Sequence, residues 1–213
     1  MISQFEELIK VLKEIDAQLD SSISVFIIGG AALLHYGVGK GYTKDIDIII
    51  DNPKDCEKYI ATLKKLNFKT KIKPSTHNQL EMCEMLERKE VRFDVFLKVV
   101  CNGFSLSESM EKRAEKIVQL EKLTAYVCSK EDIVLFKSLT TDRPNDIEDS
   151  VDLIKRGINW KTLSNELQLQ ADISDSNKRK RMVWYFIERL QDLKEKGVII
   201  HIEEEINEFY NKL

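Results

Sequence analysis

The chain has 213 residues, 43% of them hydrophobic and 32% charged, and its 33 Lys and Arg nearly balance its 36 Asp and Glu for a net charge of −3. That composition builds the core of one ordinary domain, or one domain with an appendage, and excludes a disordered chain and a strongly basic nucleic-acid coat protein. No apolar run approaches the roughly 20 residues of a membrane span. The acidic start with Glu6 and Glu7 is unlike a signal peptide, and Cys56, Cys83, Cys101 and Cys128 are far apart. A cytoplasmic protein with reduced thiols and no membrane partner is expected.

Phe5, Leu8, Ile9, Leu12, Ile15 and Leu19 recur at helical spacing and predict an amphipathic helix over 3–20. The β-branched run Ser24 to Ile28 reads as a strand that stops at Gly29-Gly30. A short helix follows from Ala31, ends near Gly37, and leads into a loop rich in glycine up to Gly41. Thr43 to Ile50 is the next strand, and Pro53 behind Asn52 opens a helix to about Asn67. Three β-like runs come next, at 68–73, 79–86 and 91–99, the last two forming a hairpin across Glu87–Glu90. Strand-like stretches continue through 116–127.

From Ser129 the texture becomes helical. Ser129 and Asp132 resemble a capping box ahead of Ile133, Leu135, Phe136 and Leu139. Pro144 restarts a helix through Ile154, Val183 to Leu193 marks a long one, and Ile202, Ile206 and Phe209 a last. The expected fold class is α+β: a mixed front over 1–128 and an all-helical region over 129–213 packing on it. Lys54, Lys58, Lys64, Lys65, Lys69, Lys71 and Lys73 form a basic strip, read either as a polyanion contact or as a solvated helix and a lysine-blunted strand edge. His35, Trp160 and Trp184 read as packing residues, and Lys178–Arg181 as a solvated helix turn or a phosphate grip.

The chemistry concentrates in two stretches. A strand entering Gly29-Gly30 and then a helix lets backbone N–H groups approach a phosphate unobstructed. Asp45 and Asp47, two apart in a strand, project from one face, where their like charges and the surrounding isoleucines favour a bound hard cation such as Mg²⁺ or Mn²⁺. Asp94 sits in the middle of the apolar strand Val91 to Leu97, a third acid able to complete a site for two metals. The alternatives are a solvated strand end for the first two acids and an ion pair with Lys or Arg for the third.

Gly-Gly, a helix, Asp-x-Asp on a strand and a later strand with an embedded Asp together resemble the polymerase-β-like nucleotidyltransferase superfamily. The resemblance is closer to its small prokaryotic branch, which includes abortive-infection toxin nucleotidyltransferases. Glu131 to Lys137, then Arg143-Pro-Asn-Asp146-Ile-Glu-Asp149, resemble that branch's lysine-bearing helix followed by an Arg and spaced acids. The resemblance implies a mixed sheet flanked by helices and transfer of a nucleoside monophosphate from an NTP to a hydroxyl acceptor, with pyrophosphate released. The acceptor would be a tRNA or other RNA 3′ end, a protein hydroxyl or a small molecule. It implies two Mg²⁺ (or Mn²⁺) ions on Asp45, Asp47 and Asp94, which are also the catalytic set. Gly29, Gly30, Thr43, Lys137 and Arg143 would bind nucleotide, and a cognate antitoxin is an implied partner. The rival readings are a catalytically degenerate nucleotide sensor or toxin–antitoxin module, and a metal-dependent glycosyltransferase. Two departures stand out: Gly30 replaces the serine many relatives carry, and Gly41, beside Lys40, replaces an arginine.

Overall fold

The apolar repeat of the first segment closes as α1 (Phe5–Asp16), which buries Leu8, Leu12 and Ile15 in the core. A computed structural model describes residue 2 and residues 5–72, 80–139, 143–174 and 176–213. Next come β1 (Ile23–Ile28), α2 (Gly29–His35), β2 (Asp45–Ile50) and α3 (Pro53–Lys65). The α3 start is fixed locally: Pro53 needs no N–H partner, and Asn52 Oδ1 accepts from the N–H groups of Lys54 (2.9 Å) and Asp55 (3.4 Å). β3 (Lys69–Thr70), β4 (Leu80–Arg88) and β5 (Val91–Cys101) follow. The β4–β5 hairpin closes at Lys89-Glu90, with Lys89 in the left-handed region at φ 56°.

β6 (Phe104–Ser105), α4 (Glu108–Arg113), β7 (Glu115–Gln119) and β8 (Leu123–Val127) complete the strands, and α5 (Lys130–Ser138), α6 (Pro144–Lys155), α7 (Trp160–Asp172), α8 (Ser176–Glu195) and α9 (Glu203–Asn211) form the helical back. Among the described residues the sheet is eight-stranded in the order β3-β4-β5-β2-β1-β8-β7, with β6 paired to β5. It is mixed: β2 runs antiparallel to β1 and parallel to β5, while β1 runs parallel to β8. The expected α+β architecture, a mixed sheet flanked by helices with helices at the C-terminal end, is the one observed.

Several local expectations change. α2 begins at Gly29 itself rather than after the glycines. α4 and β6 are too short to leave a periodic signal, and α7 hides its own because its buried face mixes Leu163 and Leu167 with Ser164, Glu166 and Gln170. Several buried polar groups pair across the helices. Arg113 pairs with Asp132 and with Glu166 (2.8 Å), and Glu166 also accepts from Ser107 (2.7 Å), Ser109 (2.6 Å) and Gln170 (3.1 Å). This network ties α4, α5 and α7 together. Ser129 does cap α5: its Oγ accepts from the Asp132 N–H (3.3 Å) and donates to Asp132 Oδ2 (2.9 Å), so the acid returns to the hydroxyl rather than to the backbone as in a full capping box.

Lys64 pairs with Glu84 (2.7 Å) and Lys71 with Glu87 (2.7 Å), acids of the neighbouring strand β4. Lys73 and His77 lie outside the described residues. His35 bonds Glu115 at 3.0 Å beside the Phe5 ring, and Trp160 packs against the core. Trp184, expected inside, is 42% exposed on α8. In the basic turn, Arg179 donates to the carbonyls of Ala171 and Asp172, and Lys180 lies over the Tyr210 ring. Among the described residues no helix is long and apolar enough to cross a membrane.

Candidate active site

Register builds the floor of the site. In the parallel β2–β5 pair, Asp45 lies opposite Arg92 and Asp47 opposite Asp94. Opposed residues, and residues two apart on a strand, share a face, so these four charged side chains stand together on one side of the sheet. Arg92 grips Asp94 with both arms of its fork, Nε to Oδ1 and Nη2 to Oδ2 at 2.9 Å each, and Nη2 also reaches Asp45 Oδ2 at 2.8 Å. Asp94 is buried, while Asp45 and Asp47 are half-buried. Burial, then the like charges of Asp94 and Asp45, push the Asp47 carboxyl up to about 7, outweighing the opposite pull of Arg143 and Lys137. The floor is therefore short of positive charge.

Gly29 borders this floor at φ +62°, and a Cβ there would lie 2.0 Å from Asp47 Oδ2, so both backbone and space demand glycine. A Cβ on Gly30 would meet Thr43 Oγ1 at 2.6 Å. That hydroxyl donates to the Asp45 carbonyl (2.9 Å) and accepts from the Asp45 N–H (3.2 Å), so Thr43 fixes the backbone of the first acid. The threonine fills the room a serine at position 30 would need.

The facing wall comes from the helical back. Lys137 on α5 donates to Asp146 (2.7 Å) and Asp149 (2.8 Å) of α6, and Arg143 pairs with Asp146 at 3.1 Å. Lys40 reaches Asn145 Oδ1 at 3.4 Å, and Gly41 beside it, at φ +73°, has open space around it. Between floor and wall lies a cleft of about 440 Å³. Gly29, Gly30, Thr43, Asp45, Asp47, Asp94, Lys137 and Arg143 all line it, so the structure brings every site residue expected from the sequence into one cavity. None of the described strip lysines lines it. Arg92, Lys44, Tyr42 and Asn145 also line it and were missed. For Arg92 a signal existed, since it stands two residues from Asp94 on the same strand face. Asp94 thus meets both readings, as it is ion-paired and also lines the cleft.

Among the described residues no three His, Cys, Asp or Glu side chains stand around a common point as a metal cage, and the Arg92 guanidinium bridges Asp45 and Asp94. The donor set nonetheless suits a hard divalent cation: three oxygen ligands, one of them under like-charge pressure, and a cationic side chain already drawn to the other two.

Residues 3–194 match the family described as a nucleotidyltransferase of unknown function (DUF6036). The chain belongs to that family. No curated protein matches the sequence. Among solved structures, this nucleotidyltransferase shares its fold with the antibiotic-resistance factor ANT(2'')-Ia. The solution structure of that protein is 12% identical, with a TM-score of 0.51 over 90% of this chain and 97% of that one. Its crystal structure in complex with adenylyl-2''-tobramycin is 13% identical, with a TM-score of 0.51 over 76% and 93%. JHP933 from Helicobacter pylori is 13% identical at a TM-score of 0.44, covering 95% and 94%. At these identities the likeness to ANT(2'')-Ia is one of fold alone.

Proposed function

We propose that the protein transfers a nucleoside monophosphate from an NTP to a hydroxyl acceptor and releases pyrophosphate, with Mg²⁺ or Mn²⁺ held by Asp45, Asp47 and Asp94. The observation that carries this is the excess of carboxylate on β2 and β5 pressed against the backbone of Gly29, at the head of α2. Asp45, Asp47 and Asp94 would hold the cations, which would supply Lewis-acid polarisation of the phosphate and positive charge to offset that of the leaving pyrophosphate. The α2 start has no side-chain cap, so its first N–H groups and the Cβ-free surface of Gly29-Gly30 serve the β- and γ-phosphates. Asp94 takes the proton of the attacking hydroxyl. Lys137, steadied by Asp146 and Asp149, sets a positive charge towards the leaving group, and Arg143 beside it contacts the nucleotide. Leu33, Val38, Ile133 and Phe136 give the cleft an apolar flank that excludes water.

The acceptor is an RNA 3′ end, a protein hydroxyl or a small molecule. Because the described lysines of the strip do not line the cleft, they lend no weight to RNA over the others. The test is incubation with each α-³²P-labelled NTP, Mg²⁺ or Mn²⁺, and cellular RNA, protein and small-molecule fractions, alongside Asp45→Asn. Label should move to one fraction with one nucleotide, and the variant should lose at least about a hundredfold in rate. Label that survives Asp45→Asn unchanged, or transfer with no nucleotide, would sink the proposal.

A further inference from the structure

We propose that Arg92 is a tethered counter-cation: it neutralises Asp45 and Asp94 in the metal-free protein and competes with the divalent cation for both carboxylates. The inference rests on the nucleotidyltransferase reading above and adds to it a residue that the sequence left without a role. Three contacts of 2.8–2.9 Å join one guanidinium to two acids on two strands. Both Asp94 oxygens are engaged, Oδ1 by Nε and Oδ2 by Nη2. Each oxygen keeps a second lone pair, so the conflict is electrostatic: a divalent cation on either oxygen would stand beside the guanidinium held on the same carboxylate, and the two like charges would repel.

Register makes the contact obligatory in the absence of a better partner. Arg92 stands directly opposite Asp45 and two residues before Asp94, and its own N–H donates to the Lys44 carbonyl at 2.9 Å. The backbone is thus pinned, and the side chain has two destinations: down onto the acids, or out towards solvent. The side chain is 23% exposed and lines the cleft, so the second route is open. Its charge is permanent, which makes it a cation that no change of pH removes. Once displaced, the guanidinium stays in the cleft, where the negative charge of a triphosphate attracts it. Nucleotide and metal therefore bind cooperatively, each making the displacement of Arg92 less costly for the other.

The experiment is titration calorimetry of MnCl₂ into metal-stripped protein without nucleotide, for wild type, Arg92→Gln and Arg92→Lys, with unfolding midpoints in EDTA as a second readout. Arg92→Gln should lower the midpoint in EDTA, since it exposes the acids to one another, and should bind Mn²⁺ about tenfold tighter than wild type. Arg92→Lys keeps a charge but loses the fork, and should fall between; it carries the test if the glutamine variant does not fold. Affinity in the variants equal to or weaker than wild type would overturn the inference, because Arg92 would then be holding the carboxylates ready for the metal. That result beside intact wild-type transfer overturns this inference alone. Absence of Mn²⁺ binding in every protein, together with absence of transfer, overturns the functional reading with it.

Discussion

Arg92 and Arg113 each bridge two carboxylates from different elements, Asp45 and Asp94 in the first case and Asp132 and Glu166 in the second. Around Arg113 the remaining lone pairs are taken up by Ser107, Ser109, Ser129 and Gln170, and both acids are buried. Burial acts on both acids: at Glu166 the donors outweigh it and hold the carboxyl below its usual range, while at Asp132 it outweighs Arg113 and Ser129 and raises the carboxyl. Around Arg92 a third acid is added, and at Asp47 burial, then the like charges of Asp94 and Asp45, raise the carboxyl. The same ingredients give a closed structural rivet in one place and an unfinished charge balance in the other. An unfinished balance beside an open cleft is what a ligand can complete.

The comparison breaks most visibly at the rivet. Arg113→Gln leaves Asp132 and Glu166 buried without their cation, and should cost about 3 kcal/mol in urea unfolding while leaving transfer per folded molecule near wild type. A cost below about 1 kcal/mol would mean that the hydroxyl and amide donors suffice alone. The floor predicts a pH signature instead. With its carboxyl raised to about 7 in the folded state against an ordinary carboxylate in the unfolded chain, Asp47 binds its proton more tightly when folded. Stability in EDTA should therefore fall as pH rises from about 4 to about 7 and then level off. Asp47 is only half-buried, so screening limits the fall to on the order of 1–2 kcal/mol. Asp47→Asn should flatten that slope in thermal unfolding; an unchanged slope would assign it to other groups. The smallest effect concerns the support of Asp45. Gly30→Ala should destabilise by about 1 kcal/mol through its clash with Thr43, and much less in a Thr43→Ala background. Additivity in that double-mutant cycle would mean that the two positions do not press on each other.

Most of the floor could be read from the sequence because its signals are local. Gly29-Gly30 ends a β-branched run, Asp45 and Asp47 share a face by simple alternation, and Asp94 interrupts an apolar strand. The Ser129 and Asn52 caps were legible for the same reason, each being contained within a few residues. For Arg92 only the neighbourhood of Asp94 was local; its partnership with Asp45 depends on how β2 aligns with β5, and register is a property of the folded sheet. Arg113 and Glu166 are further out of reach, since they are 53 residues apart and meet only when α4 and α7 pack. α7 was overlooked because Glu166 and Gln170 occupy positions on its buried face, which blunted the apolar period. Polar groups buried with partners erase the pattern by which burial is normally recognised.

The order of strands also governs how the molecule comes into being. The two strands of the acidic floor, β2 and β5, pair Asp45 with Arg92, whereas β1 pairs Ile23 with Leu123, a hundred residues on. A chain emerging from the ribosome can lay down the floor while β1 still has a bare edge carrying Val25, Phe26, Ile27 and Ile28. That edge is apolar, is held on one side only, and waits for β8, so it is the segment most exposed to mispairing during synthesis. A nascent or truncated chain that stops short of Val127 therefore carries assembled acids beside an open, adhesive strand, and its fate is aggregation or chaperone capture.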